Sequence, residues 1–212
     1  LADNWKADVI RLSLYANEGG YADVGTSGRN AWKARIDELI DMATERGMYA
    51  IIDWHMLYPG DPFWEIDAAV EYFTYMAQKH GSKDNVIFEI CNEPTDYEYY
   101  NSPSNKKLLG YKVAWDNGTD TDLRSYADSL ISVIRRNEGD SKKNLIICGT
   151  SEWASRPDEV VNHEVAQPEN VMYTMHFYAG DDDALQTGSN TSAYMEDVLT
   201  AIDGGIPIFV TE

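Results

Sequence analysis

Two kinds of apolar run alternate along the chain. Short β-branched stretches at 9–14, 48–53, 85–91, 144–148, 171–176 and 207–211 read as strands. Longer stretches of helical period lie between them. Over 31–46, Ile36, Leu39, Ile40 and Ala43 share one face, and Gly47 follows as a stop signal. A second helix starts at Asp67, carries Ala68, Val70, Tyr72, Phe73, Met76 and Ala77, and closes at Gly81. A third covers about 121–137, with Leu123, Ala127, Leu130, Ile131 and Ile134 at helical spacing. A short helix is expected around 157–162, and another over 194–203 before Gly204 and Gly205. The strand runs lack strict alternation, which predicts burial on both faces, as in a parallel sheet. Either a doubly wound α/β sheet or a (β/α)8 barrel accepts this order. Gly19, Gly20, Gly25 and Gly28 do not follow the G-x-G-x-x-G order, so a dinucleotide site is poorly supported. No repeat, linker or second domain is visible, and residues 1–212 read as one domain.

Polar groups collect just past these apolar runs. The runs are followed or closed by Arg11 to Asn17, Asp53-Trp54-His55, Cys91-Asn92-Glu93-Pro94, Gly149 to Trp153, His176-Phe177-Tyr178 and Thr211-Glu212. In parallel α/β folds the carboxyl ends of strands are where chemistry gathers. Glu93 follows the third run and Glu212 the sixth, so in a barrel they face each other across the mouth. Paired carboxylates across a cleft are what glycoside hydrolysis needs, one to protonate the leaving oxygen and the other to attack the anomeric carbon. A single Glu after a strand is more often a cap or a solvated residue. Arg11 inside an apolar strand is costly without a partner, which predicts a buried carboxylate beside it.

Composition narrows the partners. The chain has 212 residues, with 17 Lys and Arg against 36 Asp and Glu, giving a formal net charge of −19. That field repels nucleic acid and anionic membranes, and suits an uncharged or cationic partner. Hydrophobic residues at 43% and aromatic residues at 12% indicate a globular chain. No apolar run reaches the ~20 residues of a membrane helix. Cys91 and Cys148 end apolar runs and are expected to be buried free thiols. The run Asp181-Asp182-Asp183 lacks the spaced ligands of a calcium loop and reads as a solvated face, so no metal or cofactor is expected. Asn117-Gly118-Thr119 and Asn190-Thr191-Ser192 fit glycosylation sequons, which matter only in a eukaryotic secretory host.

Four motifs taken in order carry a resemblance: Asp53-Trp54-His55, Ile90-Cys91-Asn92-Glu93-Pro94, His176-Phe177-Tyr178 and Phe209-Val210-Thr211-Glu212. Together they resemble glycoside hydrolase family 5, and most of all its bacterial endo-β-1,4-glucanases. The resemblance runs from Ala7 to Glu212. It implies a (β/α)8 TIM barrel of which strands two to seven are present. It also implies Glu93 as general acid and then base, Glu212 as nucleophile, and double displacement with retention. Such a pair needs carboxyl groups ~5–5.5 Å apart. The same resemblance gives Asn92 a bond to the sugar 2-hydroxyl, and makes Arg11 and Tyr178 donors to Glu212. It places His55 and His176 beside substrate and the acid/base. A lone His is about as often a satisfied core residue.

Trp153 matches an aromatic sugar platform, and Tyr15 is placed in the same groove, since flat sugar faces stack on such rings. Trp54 and Trp64 are left between core and groove. The loop 95–121, with Tyr97, Tyr99, Tyr100 and Tyr111, is expected to shape the choice of glycan. Cellulose-like glucan is the leading substrate; mannan, xyloglucan or licheninan on the same machinery, or a non-catalytic glycan-binding relic, are the alternatives. A secreted monomer is expected. Both ends read as cut, since strands one and eight and the tryptophan after strand eight lack counterparts. Residues 1–212 alone are therefore expected to be unstable or inactive, while the parent chain is active.

Overall fold

The computed structural model describes residues 1–57, 60–95, 113–139, 143–178 and 191–212. Tyr97, Tyr99, Tyr100, Tyr111, Asp181 to Asp183 and Asn190 lie outside the described residues. The described chain begins with a single turn of helix, α1 (Ala2–Trp5). Six strands follow: β1 (Val9–Tyr15), β2 (Tyr49–His55), β3 (Val86–Glu89), β4 (Ile146–Cys148), β5 (Val171–Thr174) and β6 (Ile208–Phe209). They form one sheet in the order β1-β2-β3-β4-β5-β6, and every neighbouring pair is parallel. Parallel neighbours in chain order are what successive βα units of a barrel produce, and a doubly wound sheet would reverse direction partway. The barrel alternative is therefore the one realised, as six successive strands.

Four longer helices cross between strands: α2 (Thr26–Glu45), α3 (Ile66–His80), α4 (Leu123–Asn137) and α6 (Thr191–Asp203). The apolar faces expected for them are the buried ones. Ile36, Ile40 and Ala43 of α2, Tyr72, Phe73 and Met76 of α3, and Leu130, Ile131 and Ile134 of α4 all lie in the main core. Asp122 caps α4 by accepting from the Ser125 amide at 2.8 Å, a contact worth about 1 kcal/mol. The helix α2 begins five residues before the expected 31. Its first turn holds Gly28, which resembles loop composition. A Cβ there would meet the Val24 side chain at 2.7 Å, so close packing and not a turn explains that glycine. Gly47 fits its role as a stop, with φ +66. Between strand and helix, 3₁₀ turns cover Pro62–Glu65 and Pro157–Val160, the latter inside the expected short helix.

The sheet has two different faces. Ile52, Trp54, Phe88, Ile146 and Cys148 join the helices in the main core, where Trp54 and Tyr72 rings lie 5.6 Å apart. On the other face Ile51, Ile87 and Ile147 form a small separate apolar cluster with Leu145 and Phe209. Side chains alternate with period two along a strand. Asp53 is two residues past Ile51 and Glu89 two past Ile87, so the inner face turns from apolar to charged toward its carboxyl edge. In register, Asp53 lies beside Glu89. The strands β3, β5 and β6 are shorter than the apolar runs predict, although the Ile90 and Met175 amides still donate to the Ile147 and Phe209 carbonyls of the neighbouring strands; the residues beyond them carry side chains at this edge. Cys91 and Cys148 are free and buried, as expected, and burial raises both thiol pKa values.

Candidate active site

At the carboxyl edge, Arg11 gathers the charges. Its Nε donates to Glu89 Oε2 at 2.6 Å and its Nη2 to Glu89 Oε1 at 3.0 Å. Its Nη1 donates to Glu212 Oε2 at 2.7 Å, and its Nη2 to Asn92 Oδ1 at 2.7 Å. Asp53 Oδ2 lies 3.2 Å from Nη2. One guanidinium thus serves three carboxylates, two of them with fully buried side chains. This answers the need for a buried partner: Glu89 takes the bidentate contact, while Glu212 takes one bond. The bidentate fork is the strongest geometry available to Arg and carboxylate.

The carboxylates respond differently to this shared cation. Burial raises the Glu89 pKa, and neighbouring Asp53 adds to the rise; Arg11 and Thr211 offset only part of it. For Glu212, partial burial also pushes upward. The Tyr178 hydroxyl, Arg11 and His176 outweigh that and hold its pKa below the ordinary carboxylate value. Tyr178 donates to Glu212 Oε1 at 2.5 Å, and burial together with this bond raises the phenol pKa. Glu212 is therefore kept ionised with both oxygens held, at the mouth of the sheet.

Glu93 sits on the segment after β3. Gly149 lets that segment approach β4, since a Cβ there would meet the Cys91 carbonyl oxygen at 2.6 Å and Pro94 Cδ at 2.9 Å. The Asn92 amide donates to the Trp54 carbonyl at 3.1 Å, tying the same segment to the end of β2. Glu93 Oε1 lies 3.0 Å from His176 Nδ1. The imidazole is buried, and its Nε2 lies 2.8 Å from the Thr211 hydroxyl. Donor atoms of Glu93, His176 and Glu212 all fall within 4.8 Å of one another. Such a spacing would also admit a cation, but both Glu212 oxygens are engaged by Arg11 and Tyr178.

The remaining expected residues surround this pair. His55 Nδ1 lies 2.8 Å from Asp53 Oδ2, and its ring packs at 4.6 Å from the Tyr15 ring, which is itself exposed. Asn92 is fully buried, and its Nδ2 has no hydrogen-bond partner among the described residues. Trp153 is 38% exposed on a short element, α5 (Ser151–Ala154), in which Glu152, Trp153 and Ala154 all have positive φ. Three such non-glycine residues in succession cost roughly 1–2 kcal/mol each. The Trp153 amide donates to the Pro94 carbonyl at 3.0 Å, and the Ala154 carbonyl accepts from the His176 amide at 2.8 Å. The strained turn thus fastens Trp153 to the segments bearing Glu93 and His176. Trp54 is resolved as core, fully buried, whereas Trp64 is 42% exposed.

Two residues of this site were not singled out from the sequence. Glu89 lies inside a strand run and Thr211 precedes a more conspicuous Glu. A lone carboxylate within Val86-Ile87-Phe88-Glu89-Ile90 was the available signal, because Arg11 in another apolar strand needs such a partner.

A parallel barrel sheet with two close carboxylates at its carboxyl edge defines the glycoside hydrolase class of α/β barrel. Comparison with known proteins is specific on this point. The sequence model of "Cellulase (glycosyl hydrolase family 5)" matches residues 1–212. Endoglucanase MaCel5A of Microbulbifer sp. (strain ALW1) is 36% identical over 219 residues, covering all of this chain and 35% of that protein. Cellulase Cel5C_n superimposes with a TM-score of 0.80 at 34% identity, covering all of this chain and 57% of that one. A variant of the Thermobifida fusca endoglucanase Cel5A catalytic domain, solved with cellotetraose, gives a TM-score of 0.75 at 37% identity and 59% coverage of that chain. The chain belongs to glycosyl hydrolase family 5, the cellulase family. It spans about a third of MaCel5A and somewhat over half of each solved chain.

Proposed function

We propose that this chain carries the catalytic pair of a retaining endo-β-1,4-glucanase, with Glu212 as nucleophile and Glu93 as acid and then base. The observation that carries the reading is the closeness of the two carboxylates: one oxygen of Glu93 lies within 4.8 Å of one oxygen of Glu212. Retaining pairs stand at ~5–5.5 Å, whereas inverting pairs need ~6.5–9.5 Å to admit water between them. In the first step the ionised Glu212 attacks the anomeric carbon while Glu93 protonates the departing glycosidic oxygen. In the second, Glu93 takes a proton from water, which attacks the glycosyl-enzyme and frees Glu212. The pKa directions suit these roles, since Glu212 is held ionised by Tyr178 and Arg11.

Binding roles follow from the remaining geometry. The buried Nδ2 of Asn92, which has no partner among the described residues, is the donor assigned to the 2-hydroxyl of the sugar in the cleaved bond. Exposed Trp153 and Tyr15, past β4 and at the end of β1, supply flat apolar faces matched to the faces of glucose rings. A neutral polymer approaches a surface of net charge −19 without electrostatic cost, in keeping with a secreted, monomeric enzyme that acts on β-glucan outside the cell. The likeness to a cellulase domain solved with cellotetraose favours cellulose-like glucan over other β-glycans. The test is a comparison of initial rates of the full-length protein on carboxymethylcellulose and on mannan. Faster release of reducing ends from carboxymethylcellulose is expected. A preference for mannan overturns the substrate assignment while leaving the mechanism standing.

A further inference from the structure

The hydrogen bonds around Thr211 decide where the protons of the site reside. A hydroxyl donates one hydrogen and accepts two. Thr211 Oγ1 has three partners: Glu89 Oε1 at 2.7 Å, His176 Nε2 at 2.8 Å and Thr174 Oγ1 at 2.9 Å. Glu89 is buried, and both its oxygens already accept from the Arg11 fork, so it faces Thr211 as an acceptor. The single Thr211 hydrogen goes to Glu89. Thr174 and His176 must then both donate to the Thr211 oxygen, and His176 carries a hydrogen on Nε2.

We propose that Thr211, oriented by buried Glu89, is a positioning residue that fixes the proton of His176 on Nε2, so that Glu93 and Nδ1 share one further proton. With Nε2 protonated, the neutral ring presents a bare Nδ1 lone pair to Glu93 Oε1 at 3.0 Å. That contact holds only if Glu93 is the carboxylic acid, or if the imidazole takes the proton and Glu93 is the carboxylate. Either way one proton is stored between the two groups, beside the bond to be cleaved. The opposite tautomer would fix Nδ1–H on a Glu93 carboxylate and leave no proton to give. It would also turn the Thr211 hydrogen toward Nε2 and set two acceptors, Thr211 Oγ1 and Glu89 Oε1, 2.7 Å apart. A continuous path results from nucleophile to acid: Glu212, Arg11, Glu89, Thr211, His176, Glu93.

The role given to Glu93 here rests on the function proposed above, so the test keeps the two apart. The full-length protein, labelled with nitrogen-15 histidine, is read by NMR, with His176 assigned from the resonance lost in His176→Asn. The neutral ring is expected to show a protonated Nε2 and a bare Nδ1. Thr211→Val removes the acceptor while keeping the shape, and is expected to move the population toward Nδ1–H. Thr211→Ser keeps the hydroxyl and is expected to restore the wild-type tautomer, which separates hydrogen bonding from packing. In activity, Thr211→Val should lower kcat on cellotetraose roughly tenfold with KM little changed. An aryl cellobioside whose leaving group needs no proton should form the glycosyl-enzyme at nearly the wild-type rate, read as kcat/KM, because the first step then needs no acid. A wild-type His176 that is neutral with Nδ1–H and a bare Nε2, or a Thr211→Val tautomer identical to wild type, overturns the proposal whatever the activity. Full activity of Glu93→Gln on cellotetraose would instead overturn the assignment of Glu93, and the tautomer would still report on Thr211.

Discussion

Two buried carboxylate clusters in this molecule look alike on a list of contacts and behave differently. Between α2 and α3, Asp37 accepts from Tyr75 at 2.7 Å and Lys79 at 2.5 Å on one oxygen, and contacts His80 Nε2 at 2.7 Å on the other. All three partners come from one helix, so the cluster is a clamp between two helices. Donors outnumber carboxylates, and although burial pushes the Asp37 pKa up, these bonds hold it below the ordinary value. At the carboxyl edge of the sheet a single cation is instead shared among three carboxylates. Arg11 serves Glu89, Asp53 and Glu212, Glu89 is pushed up by burial, and the Asn92 Nδ2 is left without a partner among the described residues. The clamp matches its one carboxylate with a cation inside the fold, whereas the sheet edge keeps negative charge in excess of its one cation. Burial and a shifted pKa alone do not separate the two; the balance of cations against carboxylates does.

The largest effect that separates them is on activity. Glu212→Ala in the full-length protein should lower kcat by roughly 10⁴-fold or more while leaving the folded spectrum intact. Glu93→Gln should cost about 10²–10⁴-fold on cellotetraose; on an aryl glycoside with an activated leaving group kcat/KM should change little, while kcat falls because the second step loses its base. Activity within a few-fold of wild type in either variant on cellotetraose would place the chemistry elsewhere. The clamp should do the reverse. Asp37→Asn is expected to destabilise the fold by about 1–3 kcal/mol in denaturant titration, with kcat unchanged, because it strips a buried bond that touches no substrate. A fall in kcat with unchanged stability would erase the distinction.

Acid supplies a smaller, signed comparison. Burial holds His80 below its ordinary pKa near 6.5, so the unfolded chain binds its proton first. The stability it contributes is complete above that value and declines as pH falls through it. Asp37 is held below the ordinary 3.8, so its contribution is present above that pH and is lost below it. Glu89 works in the opposite direction, since its folded pKa is raised above 4.5 and protonation there favours the fold. Thermal unfolding should therefore show stability declining below pH 6.5 and again below about 4, with the second decline diminished in Asp37→Asn. An unchanged second decline in that variant would move acid sensitivity away from the clamp.

Much of this architecture was legible in the sequence because it rests on local rules. Period and apolar run length gave the order of strands and the faces of α2, α3 and α4, and polar residues past the runs marked the edge that bears Arg11, Asn92, Glu93, His176, Tyr178 and Glu212. Element limits were less accessible. The glycine at 28 packs against Val24 inside a helix, and the turn at Glu152 to Ala154 is held left-handed by contacts to Pro94 and His176 that are remote in sequence. Glu89 and Thr211 escaped for a related reason. Their importance lies in which partner each hydrogen points to, and that appears only when Arg11, Thr174 and His176 converge on them from other strands.

The most direct measurement is covalent trapping. The full-length protein is treated with a 2-deoxy-2-fluoro cellobioside bearing an activated leaving group, digested, and mapped by mass spectrometry. The fluorine slows breakdown of the glycosyl-enzyme, so a retaining enzyme accumulates it. A single fluorocellobiosyl group esterified to Glu212 is the expected result. A label on Glu93, or turnover with inverted product and no label, would contradict the assignment of nucleophile and acid on which the reading of this site depends.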